Sequence, residues 1–294
     1  MTDPTTRINL KAVETIHQAS QTDYSGLLTY TALPNRNIPM ERLDPFLFLN
    51  HHGVQQYGPG NEGLPFGPHP HKGFETVTFI VEGELIHKDN TGFESNIKAG
   101  GVQWMTAGRG IIHSEQSSQE FKRNGGTVDI LQLWVNLPSR LKFSAPNYIG
   151  LQKDQVPELS LDGGKVILHP ASGTWEGVKA PIQSLSDVNL TTVDFKQGSE
   201  WSLSIPGDHA VLFYVIKGSL TVNGERADAH DLVVFGEGEG INVQATSDAL
   251  ILFGHAAPTH EPIVAHGPFV MNTRAEINQA FVDYQQGKFG VWKD

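Results

Sequence analysis

Turn-forming residues interrupt this chain so often that only short stretches of regular structure fit between them. Asp89-Asn90-Thr91-Gly92 and Asn124-Gly125-Gly126 are two such interruptions, and 31 Gly and 17 Pro are spread through 294 residues. Residues of this kind supply the positive-φ and kinked conformations of tight turns and punctuate both helices and strands. The runs between them, such as 26–33, 76–81 and 102–106, are rich in β-branched, aromatic and aliphatic side chains at strand length. A pleated, half-buried surface accepts such residues well. Val77, Phe79 and Val81 would share one face of a regular strand. His69, His71 and Glu75 have the same parity, although Pro70 and Gly73 can break the register. The expected class is therefore all-β.

A second series of strand signals covers 165–169, 190–195, 210–216, 219–222, 232–235 and 249–253. Between the two series, residues 137–157 are rich in proline and polar side chains and read as a linker. That places a boundary near 138–146, with one domain over 1–138 and a second over 139–294. Phe79-Ile80-Val81-Glu82-Gly83-Glu84-Leu85 echoes Tyr214-Val215-Ile216-Lys217-Gly218-Ser219-Leu220. Both look like a strand turning through glycine into its partner, as duplication of one barrel unit would produce. One helix is predicted near the C terminus. Thr273 and Glu276 form a capping box, Ile277, Ala280, Phe281 and Tyr284 recur at helical spacing, and Gly287 offers a stop. Its apolar stripe suits packing on a barrel better than capture of a partner.

Two short stretches carry the chemistry. In Gly67-Pro68-His69-Pro70-His71 one residue separates two imidazoles, so an extended backbone sends both to the same side. Gly110-Ile111-Ile112-His113-Ser114-Glu115 does the same for an imidazole and a carboxylate. A lone His-X-His is more often a surface or core pair than a metal site; the second same-face pair raises the metal reading. If the two strands face each other across a barrel, four nitrogen and oxygen donors converge. Such a set suits a divalent first-row ion, with iron, manganese, copper, nickel and zinc all admissible on ligand type. The chain has no cysteine, which excludes disulfides and thiolate ligands.

Charge and hydropathy narrow the partners. Lys and Arg number 21 against 32 Asp and Glu, for a formal charge of −11. With no basic run to override that field, direct nucleic-acid binding is not expected. No stretch approaches the roughly 18 consecutive apolar residues of a membrane span, and residues 1–10 lack the charged start and apolar run of a secretory signal. A soluble, cytoplasmic protein is the expectation.

The spacing Gly63, five residues, His69-Pro70-His71, three residues, Glu75, seven residues, Gly83 resembles the first cupin motif with one extra residue before the final glycine. Gly110-Ile111-Ile112-His113 resembles the end of the second. More specifically, Gly67-Pro68-His69-Pro70-His71-Lys72-Gly73-Phe74-Glu75-Thr76-Val77 and Gln103-Trp104-Met105-Thr106-Ala107-Gly108-Arg109-Gly110-Ile111-Ile112-His113-Ser114-Glu115 resemble the pirin family. Asp44-Pro45-Phe46, Leu131-Gln132-Leu133-Trp134-Val135-Asn136-Leu137-Pro138 and His266-Gly267-Pro268-Phe269-Val270-Met271-Asn272-Thr273 add to it, so the resemblance runs from about residue 40 to the C terminus.

This resemblance implies two tandem cupin barrels of the double-stranded β-helix or jelly-roll type, with a short C-terminal helix. The first would bind metal; the second, which lacks the donor pattern, would be structural. It implies one divalent ion per chain, Fe(II) first among the candidates, held by His69, His71, His113 and Glu115. Glu75, the commoner carboxylate position of cupins, is then expected to hydrogen-bond in the barrel wall or behind a ligand. His209 falls roughly where the first histidines of a second site would be, without a companion. His51 and His52 are candidates for the barrel mouth, Arg109 for a structural ion pair, and His87 and Asp89 for stabilising the turn at Gly92. Two roles are associated with the family: dioxygenation of flavonols or related enolic aromatics, of the quercetin 2,3-dioxygenase type, with Glu115 taking the hydroxyl proton, and metal- or redox-dependent regulation through a protein partner. A small aromatic substrate and O2 are the expected partners in the first case, and a monomer is expected in both. A substrate-sized cavity opening onto the donors would favour the enzyme.

Overall fold

The computed structural model describes residues 9–293. Its first strands, in chain order, are β1 (Val13–Gln18), β2 (Ser20–Tyr24), β3 (Leu27–Leu33), β4 (Phe46–Tyr57), β5 (Phe66–His71) and β6 (Phe74–Glu82). They continue with β7 (Glu84–Asp89), β8 (Glu94–Lys98), β9 (Val102–Thr106), β10 (Ile111–Gln116), β11 (Gly126–Asn136) and β12 (Asn147–Leu151), and a short helix α1 (Gln119–Asn124) follows β10. All but β1 belong to one cupin barrel. A seven-stranded sheet in the order β12-β9-β6-β11-β4-β3-β2 and a four-stranded sheet in the order β5-β10-β7-β8 make its two walls.

Gly73 sets the register between the walls. It stands between β5 and β6 with φ at 90°, and a Cβ there would lie 1.9 Å from the Val270 carbonyl oxygen. Only glycine accepts that backbone conformation and that approach without strain. The parity of inward residues changes across this turn. His69 and His71 point inward from β5, whereas in β6 the even-numbered Phe74, Thr78 and Ile80 do so, Phe74 against His71, Thr78 bonded to Glu115 and Ile80 packed with Leu27, Leu85 and Ile130. Glu75 therefore lies on the other face.

The second unit repeats the topology. Its seven-stranded sheet runs β1, Asp231–Phe235, Ala210–Lys217, Ala249–Ala256, Asn189–Phe195, Val166–Ser172, Leu159–Leu161, and its four-stranded sheet runs Glu200–Ser204, Gly240–Ala245, Ser219–Val222, Glu225–Asp228. The strand equivalent to β5 is Glu200–Ser204 and the one equivalent to β10 is Gly240–Ala245. Where His69 pairs with His113 in the first barrel, Trp201 pairs with Val243 in the second, and Leu203 pairs with Ile241. Trp201, Val243 and Ile241 are buried in one large apolar cluster with Phe213, Phe235 and Phe253. Burial of hydrocarbon thus fills the space that polar donors take up in the first barrel. One metal per chain is the expected result of elemental analysis on reconstituted protein; a stoichiometry near two would contradict this degenerate second barrel.

The compact units do not follow the expected division at residue 138. One unit comprises the chain up to Ala19 with Pro157–Pro258, and the other comprises Ser20–Val156 with the chain from Thr259 onward. Edge pairing explains the exchange of segments. β12, inside the presumed linker, pairs with β9 and extends the first barrel's large sheet, while β1 pairs with Asp231–Phe235 and does the same for the second. The C-terminal helix α2 (Arg274–Gln285) also belongs to the first barrel's unit. The Thr273 hydroxyl accepts from the Glu276 N–H, and the Glu276 carboxylate accepts from the Thr273 N–H at 2.9 Å, closing the capping box. Ile277 and Ala280 are buried with Ile112, Phe269 and Met271. A buried ammonium completes the attachment: Lys142 Nζ donates to the carbonyls of Gly73 and Val270 and to Asn136 Oδ1, at 2.9, 3.1 and 2.8 Å.

Candidate metal centre

β5 and β10 pair antiparallel with His69 directly opposite His113. Two residues further along β5, His71 projects to the same side, because side chains alternate along a strand. The three rings pack with centroids 4.4 to 5.0 Å apart, and one ligand atom from each lies within 4.8 Å of the others. Among the described residues this is the group of three or more His, Asp or Glu side chains that converges in this way.

Hydrogen bonding orients two of these imidazoles through carbonyl groups. His69 Nδ1 lies 2.7 Å from the Gly67 carbonyl oxygen and His71 Nδ1 lies 3.3 Å from that of Pro268. A carbonyl can only accept, so each Nδ1 carries the proton and each Nε2 presents a lone pair. The Nε2 atoms of His71 and His113 are buried without a hydrogen-bond partner. Buried polar atoms are rarely left so. Burial, reinforced by the neighbouring imidazoles, pulls both His71 and His113 well below the ordinary histidine value and keeps them neutral. Neutral imidazoles with bare, converging nitrogens fit a divalent first-row ion.

Glu115, two residues beyond His113, is 1% exposed and holds the two walls together. Its Oε1 accepts from the Gln103 amide on β9 and, at 3.3 Å, from the Thr78 hydroxyl on β6; its Oε2 accepts from the Gln132 amide on β11 at 2.5 Å. These three donors are lateral neighbours in one sheet, since Thr78 pairs with both Gln103 and Gln132. Burial raises the Glu115 pKa, and the neighbouring His69 imidazole and the three donors oppose that rise. A carboxylate has about four acceptor sites. Three donors leave one, on Oε2, so Glu115 can offer a metal a single bond. It stands outside the converging group of three histidines.

A cavity of about 340 Å³ opens beside the histidines. His69, His71, His52, Asn50 and Gln132 supply its polar lining, and two stacked aromatic pairs, Tyr24 on Phe66 and Phe48 on Trp134, supply apolar wall. His52 is fixed by the Thr29 hydroxyl at 2.8 Å; that hydroxyl donates to the Leu27 carbonyl, so it accepts from His52 Nδ1–H and leaves Nε2 as an acceptor. His51 faces the opposite way and bonds Asp129 at 2.6 Å.

The remaining sequence candidates have local roles. Glu75 accepts from the Thr106 hydroxyl at 2.7 Å in the barrel wall. Asp89 does stabilise its turn, accepting from the Thr91 N–H at 2.8 Å. Arg109 is exposed, and its segment is tied down through its backbone N–H to the Ser144 carbonyl at 2.9 Å. His209 does not sit where a second site's first histidines would be: it precedes the strand equivalent to β6, and its Nδ1 lies 2.9 Å from His255 Nδ1. Gln103, Gln132 and Thr78 are the residues that sequence reasoning misses. Polar residues inside otherwise apolar strands were their only signal.

The buried imidazoles also set an acid limit. Burial lowers His52 to about 4 and lowers His71 and His113 below the ordinary 6.5. The unfolded chain takes up protons near pH 6.5 that the folded chain refuses, so these groups reduce stability as pH falls below about 6.5 and leave it intact above. Urea melts of metal-free protein should give a lower midpoint at about pH 5 than at about pH 7.5. Equal midpoints would contradict the burial argument.

Comparison with known proteins agrees with this geometry. The pirin family model matches residues 28–135 and the pirin C-terminal cupin domain model matches residues 190–290. A pirin-like protein of Caulobacter vibrioides is 40% identical over 250 residues, covering 85% of this chain and 88% of its own. Pirin-1 of Arabidopsis thaliana is 40% identical over 260 residues, covering 86% of each. The crystal structure of a quercetin 2,3-dioxygenase from Acinetobacter baumannii superposes with a TM-score of 0.89 at 34% identity, over 96% of this chain and 99% of that one. With both barrels matched and four-tenths identity sustained along most of its length, the chain belongs to the pirin family.

Proposed function

We propose that this protein is a metal-dependent dioxygenase of the quercetin 2,3-dioxygenase type, acting on a flavonol or a related enolic aromatic, with His69, His71, His113 and Glu115 holding one divalent ion, Fe(II) first among the candidates. The observation that carries the reading is the cavity. It reaches two of the three converging imidazoles, its volume falls in the range of small-molecule sites, and its walls are flat aromatic rings. A regulator acting through a protein partner has no need of such a space. The related dioxygenase structure supports the same reading.

The residues have separable tasks. Bound by the three imidazoles, a first-row ion supplies Lewis acidity toward an enolic oxygen and redox capacity for O2. Tyr24, Phe66, Phe48 and Trp134 bind and orient a planar ring system, and their hydrocarbon excludes water. His52 Nε2 accepts from a ring hydroxyl, since burial lowers the pKa of that imidazole to about 4 and so keeps it neutral near neutral pH. Glu115 takes the proton of the enolic hydroxyl on its one remaining acceptor site, the same site that would bond the ion, so it serves as ligand or as base but not as both at once. A carboxylate pushed up by burial is a better base than one in water.

Anaerobic reconstitution with Fe(II), followed by oxygen-uptake assays across a panel of flavonols and simple phenols, tests the proposal. Turnover that scales with bound metal supports it. A metal-loaded protein inert across the panel would overturn it in favour of the regulator.

A further inference from the structure

A buried chain of hydrogen-bonding groups continues from His113 into the β7 wall. His113 Nδ1 lies 3.4 Å from His87 Nδ1, and His87 Nε2 lies 3.2 Å from Asp89 Oδ2. Asp89 Oδ1 accepts from the Thr91 N–H and hydroxyl at 2.8 and 2.5 Å. His87 is 0% exposed and Asp89 4%. Both side chains project from β7, which pairs with β10. The Asp89 carboxylate thus does two things: one oxygen closes the turn and the other faces His87.

The donors along this chain can be assigned in order. Asp89 Oδ2 accepts, so His87 Nε2 carries a proton. A singly protonated His87 then has a bare Nδ1, which can only accept, so His113 Nδ1 must donate. That leaves His113 Nε2 as the bare nitrogen, and it is an atom buried without a partner beside His69 and His71. The reverse assignment would leave a buried N–H at Nε2 with no acceptor. A stacked ring holds the relay in place: Tyr148 lies on His87 at 4.2 Å and 21°, and its hydroxyl donates to Gln103 Oε1 at 3.2 Å. Gln103 in turn donates to Glu115. Tyr148 therefore braces both the imidazole and the carboxylate side of the centre.

We propose that His87 and Asp89 are positioning residues for the metal, acting through His113 by fixing its tautomer and ring orientation. This rests on the assignment of His113 as a ligand, which the experiment checks separately. Hydrogen-bond partners behind a ligating histidine typically change metal affinity by about 10- to 100-fold when removed.

Metal-free wild type and the His87→Phe, His87→Gln and Asp89→Asn variants would be titrated with Co(II), following the visible absorption of the bound ion and competing it with a chelator. His87→Phe keeps a ring for Tyr148 but offers no acceptor, so its Co(II) dissociation constant should rise by about 10- to 100-fold, with a changed absorption spectrum and a metal-free melting temperature lowered modestly by the buried donor left unpaired on His113. His87→Gln supplies a carbonyl acceptor and should recover part of both. Asp89→Asn should fall between. A His87→Phe protein with wild-type affinity and spectrum would overturn the relay, as would an Asp89→Asn protein with both unchanged should His87→Phe not fold. A wild type that fails to bind Co(II) would overturn the ligand assignment and the relay with it.

Discussion

Glu115→Gln should retain much of its metal yet lose about 100-fold in oxygen uptake with a flavonol, the usual scale for loss of a general base. The substitution keeps the size and one acceptor oxygen but removes the charge and the basicity. Metal affinity should weaken only modestly, because three converging imidazoles remain. The fold adds a cost. Gln103, Thr78 and Gln132 all aim donors at this carboxylate, and an amide nitrogen in one oxygen's place turns at least one of those bonds into a donor-donor contact. A buried donor without a partner costs about 1–3 kcal/mol, so the melting temperature should fall as well. Activity must therefore be expressed per bound metal on folded protein. Activity per metal near wild type would reduce Glu115 to a ligand. Unchanged metal content and unchanged activity together would remove it from the site.

His113→Ala should abolish stoichiometric metal binding while the protein stays folded. His113 is 0% exposed and central, with both other imidazoles within 5.0 Å of its ring. Its loss leaves two donors from one strand and a single carboxylate oxygen. The apolar clusters that hold each barrel lie elsewhere, around Leu27, Ile80, Leu85 and Ile130 in the first and Phe213, Phe235 and Phe253 in the second. Folding therefore does not await the ion, as it does in a small zinc domain. An ion that binds only the native state stabilises it by about 2.7 kcal/mol at a hundredfold excess over the dissociation constant. Wild type should show that rise in melting temperature on adding metal and the variant should not. Circular dichroism of an unfolded variant would contradict the claim about the core, and a variant that still binds one equivalent would exclude His113 as a ligand.

Spacing alone specifies much of this protein. One residue between His69 and His71, and one between His113 and Glu115, places each pair on one face of a strand in any β fold, because side-chain direction alternates with each residue. Frequent turn residues dictate short strands for a similarly local reason, and the Thr273–Glu276 box marks the helix start through contacts three residues apart. The echo between 79–85 and 214–220 is likewise legible, although the glycine turns each strand not into a paired neighbour but across to the other wall, at the same place in the two matching topologies.

What local spacing does not contain is who meets whom across a sheet. The exchange of β1 and β12 between units depends on which edge strand offers unpaired N–H and C=O groups. Pairing at distances of more than forty residues leaves no trace in composition, so a Pro-rich segment that pairs reads as a linker. Glu115 receives its donors from three different strands, and His113 finds His87 across the β7–β10 pairing. The turn at Gly73 reverses the inward parity between β5 and β6, turning Glu75 away and Thr78 inward. A residue's type and spacing state which bonds it can make; the register of the closed barrel selects which of them it does make, since that register alone brings the partners within hydrogen-bonding distance.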